Sequence, residues 1–140
     1  MLNFKIKTHS HNRMYNVGHF YILNKGNNAG KPSFEPYRNA FVVFCNNRRE
    51  LQNLYWICAI LHVGQQFKPY LKGSVIPFIT IVDVKRLIKE CSIKYEGRHW
   101  EERFKVLKKL EEVEEIIRKQ SQNLKRYKVL MMQSYQTQVG

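Results

Sequence analysis

Apolar and polar residues alternate through Leu2–Thr8 (LNFKIKT), the period of a strand with one buried face. Gly18–Leu23 (GHFYIL) reads as a second strand. Ala40–Cys45 (AFVVFC) is an unbroken apolar run, as expected of a central strand. Residues 24–39 (NKGNNAGKPSFEPYRN) hold two prolines and four asparagines besides glycine, which is loop composition. After Asn47 the period changes. Leu51, Leu54, Tyr55, Cys58 and Leu61 recur at helical spacing, and Trp56 and Ile57 widen the stripe. Asn47 is a natural N-cap with Glu50 three residues later, an approximate capping box. Residues 64–72 predict a short helix or turn.

The stretch YLKGSVIPFITIVDVKRLIKE (residues 70–90) predicts a Gly-Ser corner and a short strand entered at Pro77. Thr80 and Asp83 then form a cap-like pair before a helix. Val84, Leu87, Ile88 and Cys91 make one apolar face of that helix. A connector (SIKYEGR, residues 92–98) precedes a long segment without Gly or Pro, residues 99–131. Val106, Leu110, Val113, Ile117, Gln120, Leu124, Tyr127 and Met131 fall there at alternating spacings of four and three. This is a heptad seam with one polar position, Gln120, of the kind that fixes register. Trp100, Phe104 and Leu107 form a second apolar set, expected to dock on the globular part. The far end of the helix is expected to project, leaving its seam to a partner.

These elements predict an α+β fold, with a mixed, curved sheet, packed helices and a long C-terminal helix. Residues 1–97 are expected as a globular domain, 98–131 as a helix for dimerisation or docking, and 132–140 as a disordered polar tail.

Charge changes the picture. The 140 residues carry 24 Lys and Arg against 11 Asp and Glu, a net of +13 with a pI near 9.8. Residues 1–98 hold 15 bases against 5 acids, a net of +10, and residues 99–128 hold 9 against 6. A field of that sign draws polyanions to the front of the protein. Phosphate contacts need Lys and Arg, and base edges favour Arg, Asn, Gln and Lys. The candidate DNA-contacting residues are Lys25, Lys31, Arg38, Arg48, Arg49, Lys68, Lys72 and Ser74. The candidate docking residues are Val106, Leu110, Val113, Ile117, Gln120, Leu124 and Tyr127.

Little in the chain speaks for catalysis. GNNAGKP (residues 26–32) has three residues between its glycines where a phosphate-binding Walker loop has four, and Pro32 follows its lysine. The alternatives left are a basic loop meeting phosphate and a plain turn. Ser74 lies outside any nucleophile pattern. Five acids in residues 1–98 are too few for a two-metal nuclease. His9 and His11 read as a surface pair and His62 as a helix-end residue. No enzyme activity, cofactor or metal is expected. Cys45, Cys58 and Cys91 are odd in number and lack CxxC spacing, which predicts buried thiols in a reducing compartment. No apolar run reaches the roughly 20 residues of a membrane span, and the charged N-terminus lacks a signal-peptide core. A cytoplasmic location is expected.

Residues 54–88 resemble the end of a target-recognition domain in the specificity subunits of type I restriction–modification enzymes. The resemblance rests on Phe67, Tyr70, Gly73, Ser74, Ile76, Pro77, Ile79, Asp83, Val84 and Leu87, in that order. In that family a long helix follows, and two such helices pair as an antiparallel coiled coil between recognition domains. His99–Met131 resembles that helix. The chain departs from the family at CSIKYEGRHWEE, where an Ile-x-Ile-Pro-Leu-Pro-Pro segment is usual, and it holds one recognition domain. It is also similar to short uncharacterised bacterial proteins with FYILNKG, GKP and GSVIPFI at like places. The resemblance implies recognition of double-stranded DNA without catalysis, with the helix forming a homodimer or docking on another subunit. The alternative is a protein–protein interaction module whose heptad helix docks a partner and whose basic surface is incidental.

Overall fold

The computed structural model describes residues 3–94 and 100–139. Residues 95–98 of the expected connector, and His99 at the expected start of the long helix, lie outside the described residues. Two compact units divide the chain, Met1–Phe104 and Lys105–Gly140.

In the first unit, β1 (Lys5–Thr8), β2 (His19–Leu23), β3 (Pro32–Ser33) and β4 (Ala40–Phe44) form one sheet in the order β1-β4-β2-β3. The α+β class is as expected, but every pairing is antiparallel where a mixed sheet was expected. The reason is chain order. All four strands precede the first helix, so no helical crossover is available to bring two strands parallel. β3, inside the segment expected to be loop, is a two-residue strand pairing Tyr21 with Ser33 and Ile22 with Pro32.

Register sorts the side chains. Ile6 pairs with Val43 and Phe20 with Val43, so these residues share one face. That face, with Ile22 and Phe41, packs on Leu54, Ile57, Cys58 and Leu61 of α1 (Arg48–Val63) and on Val84 and Ile88 of α2 (Ile81–Lys94). Lys5, Lys7, His19, Tyr21, Val42 and Phe44 alternate to the other face, where Tyr21, Ala40 and Val42 form a second, smaller core with Tyr15 and Tyr37. All three cysteines are free and buried. Burial pushes the Cys58 thiol well above its ordinary range, with Cys91 nearby adding to the shift.

The capping residues behave as their chemistry dictates. Asn47 Oδ1 accepts from the backbone N–H of Arg49 (2.9 Å) and Glu50 (3.3 Å). The Glu50 carboxylate accepts from the Cys45 thiol at 3.6 Å. α1 ends in a Schellman motif. The N–H of Gln66 donates to Leu61 O and that of Gln65 to His62 O, with Gln65 left-handed at φ 58°. Thr80 Oγ1 accepts from the Asp83 N–H (3.3 Å) at the start of α2.

The apolar run at residues 75–79 does not become a strand. Gly73 turns at φ 95°, and the chain doubles back so that Lys72 and Phe78 exchange both backbone hydrogen bonds (2.9 and 2.8 Å). Lys25 and Lys72 each form an isolated bridge with Phe78. Only Ile79 enters the core; Val75 is 89% exposed and Ile76 63%. Pro77 lacks the N–H that a ladder would use.

Phe104, at the end of this unit, lies against Tyr55 and stacks on Trp56, with centroids 6.3 and 5.9 Å away. Of the second apolar set, Phe104 docks in this way, and the Trp100 side chain lies outside the described ones. The last helix, α3 (Trp100–Val139), runs 40 residues. It continues past the expected end at 131, so residues 132–139, expected as tail, are helical. Nothing in that stretch breaks a helix, and Thr137 Oγ1 bonds back to the carbonyls of Gln133 and Ser134 (3.3 and 2.8 Å). Every side chain from 108 to 137 is exposed.

Candidate nucleic-acid interface

The expected DNA-contacting residues fall into three places. Lys25, Lys31, Lys68, Lys72 and Ser74 gather where β2, α1 and the 72–78 turn meet. The backbone explains this. Gly26 N–H donates to Pro77 O (2.7 Å) and Ile79 N–H to Asn24 O (3.0 Å), which ties the loop after β2 to the turn. Gly30 packs closely on the buried Phe67 ring, and Lys31 and Lys68 are the next residues along the chain from that contact. Both lysines bear on His62, whose pKa is lowered by burial first and by Lys31 and Lys68 next. Among the described residues, Lys72 has an acid within reach, Asp83 at 3.8 Å. Asp83 is held more closely by Arg86 (3.0 Å), which also lies 4.9 Å over the Tyr70 ring. All four lysines are exposed. Lys25 and Lys72 are tied through Phe78 to the turn that carries the exposed Val75 and Ile76, and Lys31 and Lys68 lie near His62.

Arg48 and Arg49 sit at the opposite end of α1. At 1.5 Å per residue they stand about 22 Å from its C-terminus. The expected sites therefore do not share one face. Arg38 is separate again. It lies two residues before β4 and lines a cavity on the sheet face away from the helices.

That cavity, about 570 Å³, was not legible as a site in the sequence. His9, His11, Arg13, Tyr15, His19, Tyr21 and Tyr37 line it with Arg38, and no carboxylate is among the lining residues. His19 Nδ1 donates to Val17 O (2.7 Å), leaving Nε2 to accept from the Tyr21 hydroxyl (3.2 Å). His9 Nδ1 bonds the Tyr15 hydroxyl (3.0 Å). The rings meet edge to face, His9 on Tyr21 at 4.9 Å and Tyr15 on His19 at 5.3 Å. Burial, then His11 and His19, lowers the His9 pKa; burial raises that of Tyr21. The available signal was period two. His19 and Tyr21 alternate with Phe20 and Ile22, so polar aromatics occupy the face opposite the core.

On α3, Val106, Leu110, Val113, Ile117, Gln120, Leu124 and Tyr127 are all exposed, the apolar ones between 51% and 68%. Ile116 and Leu130 flank the seam and are exposed as well. Charge is segregated along it. Residues 101–115 hold six Glu against four bases, and residues 116–139 hold five bases and no acid. Arg118 Nε bonds Glu115 at 2.9 Å. No group of His, Cys, Asp and Glu among the described residues could hold a metal ion, and no helix is long and apolar enough to cross a membrane.

The chain matches the Family of unknown function (DUF6943) over residues 6–134. It belongs to that family. No curated protein and no solved structure matches it.

Proposed function

We propose that the protein binds double-stranded DNA without catalysis, through the basic turn, and self-associates through α3. The observation that carries this reading is the exposed pair Val75–Ile76 on a turn bridged to Lys25 and Lys72, with the exposed Lys31 and Lys68 near His62 adding to the basic surface. Lysines neutralise phosphates, and apolar wedges between base steps kink a duplex. The resemblance of residues 54–88 to restriction–modification target-recognition domains supports the same role. Three free buried thiols suit a reducing compartment, and the protein acts in the cytoplasm.

The partner of α3 in this reading is a second copy, antiparallel. With Leu110, Ile117 and Leu124 at heptad a and Val113, Gln120 and Tyr127 at d, Glu114 and Lys128 take e, and Ile116 and Leu130 take g. In an antiparallel pair like positions face each other. Glu114 then meets Lys128 of the other copy twice, Ile116 meets Leu130 twice, and each acidic half lies against a basic half. A parallel pair gains Lys109 against Glu114, but it sets Ile116 opposite Ser121 and like charges level with each other.

Duplex binding is measured by fluorescence anisotropy from 50 to 300 mM salt. Each phosphate neutralised contributes about −0.9 to the slope of log K against log salt. Changing Lys25, Lys31, Lys68 and Lys72 together to Ala therefore flattens the slope by about 3.6. Changing Val75 and Ile76 to Ser lowers the bend read by end-to-end energy transfer. An affinity that does not change with salt overturns the reading. The second reading, a docking module for a different protein, draws on the exposed seam alone; a monomer at high concentration that does not bind duplex favours it.

A further inference from the structure

We propose that the cavity on the sheet face away from the helices is a nucleotide site, with a base held among the Tyr15, His19 and Tyr37 rings and its phosphate held by Arg13 and Arg38. This site is separate from the basic turn and stands without the duplex reading.

Its size suits the ligand, since small-molecule sites span about 300–1,000 Å³. Its composition suits it as well. Half-buried aromatic rings offer stacking that tolerates any base, because every base has a π-face. Their mutual hydrogen bonds hold the rings in place before a ligand arrives. His19 is fixed by Val17 O and the Tyr21 hydroxyl, and Tyr15 by His9. Arg13 lies 5.7 Å over the Tyr15 ring, so a guanidinium already stands beside the stacking surface. Arg38 is exposed and lines the same cavity. With no carboxylate in the lining, neither guanidinium meets a competing anion inside the cavity.

The same chemistry can come from a free mononucleotide or from an unpaired nucleotide of a single strand, and the test separates the two. The full chain is titrated by calorimetry with uridine 5′-monophosphate, with adenosine 5′-monophosphate and with a deoxythymidine decamer. Binding of the mononucleotides as tightly as the decamer assigns the site to free nucleotides. Binding of the decamer at least about tenfold more tightly assigns it to a strand that places further nucleotides along Lys5 and Lys7. In either case Arg38→Gln, an exposed change that leaves the fold intact, weakens binding at least about fivefold, and so does Tyr15→Leu, the loss expected of one stacked base. Ligand-induced shifts of the His9 and His19 ring protons in NMR spectra place the nucleotide in the cavity. Absence of binding by all three probes overturns the proposal, as does binding that Arg38→Gln leaves unchanged. Lysine variants at the turn leave nucleotide binding as it is, so failure here is distinct from failure of the duplex reading.

Discussion

Gly30→Ala tests why the loop after β2 is built as it is. Gly30 has φ 104°, and a Cβ there would stand 2.2 to 2.8 Å from three atoms of the Phe67 ring. Phe67 is 2% exposed and cannot swing into solvent without opening the core. Two costs combine. A side chain in that backbone region costs about 1–3 kcal/mol, and overpacking a core costs about 1–3 kcal/mol more. Gly26 is the internal control. Its φ is 94°, yet nothing lies within 4 Å of its would-be Cβ. Gly26→Ala therefore carries the backbone cost alone. The difference between the two variants isolates the Phe67 clash, at about 2 kcal/mol. For a domain of roughly 100 residues, each kcal/mol moves Tm by about 4–8 °C. Gly30→Ala should melt about 8–16 °C below Gly26→Ala by circular dichroism, with urea midpoints in the same order. Equal melting of the two variants would refute the packing argument and leave only the backbone one.

Three further outcomes are expected. Gln65→Gly relieves a left-handed non-glycine residue at the Schellman position and should stabilise the protein by about 0.5–1 kcal/mol in urea unfolding, and any loss of stability contradicts the assigned cap. His62 has a folded pKa below the ordinary 6.5, so the unfolded chain takes up its proton first and stability falls as pH drops from 7.5 through the folded value. His62→Gln should shrink that fall, and an unchanged pH profile excludes the effect. Duplex phosphate near Lys31 and Lys68 favours the protonated ring, so duplex affinity should rise over the same window. Glu114→Lys should raise the dimer dissociation constant about tenfold in sedimentation, and adding Lys128→Glu should restore it; failure of the double variant to recover removes the Glu114–Lys128 contact.

Strong local signals carried over from sequence to structure. Asn47 and Thr80 cap their helices because an Asn or Thr side chain at that spacing reaches the orphan N–H groups whatever the tertiary context. The helices at Leu51–Leu61 and Val84–Cys91 kept their apolar faces for a similar reason. Residues 75–79 misled because their apolar run is not core. Val75 and Ile76 are exposed, and only backbone geometry at Gly73 and Phe78 decides that. β3 was hidden because two residues carry no period. Gly30 and Phe67 are 37 positions apart in sequence and pack together, which brings Lys31 and Lys68 both near His62, and no local pattern encodes that. The tyrosine and histidine cavity was hidden for a related reason, because its rings come from one strand and two loops.

The sheet also has consequences for assembly. Its outer strands are β1 and β3. β1 carries Lys5 and Lys7 exposed at alternate positions, and β3 is two residues long and includes Pro32. Lysines on one rim and brevity with a missing donor on the other are how natural sheets refuse strand addition. A chain at high concentration is thereby denied the open-ended, amyloid-like route of growth. The proposed pairing of α3 with a second copy would instead close on itself after two copies.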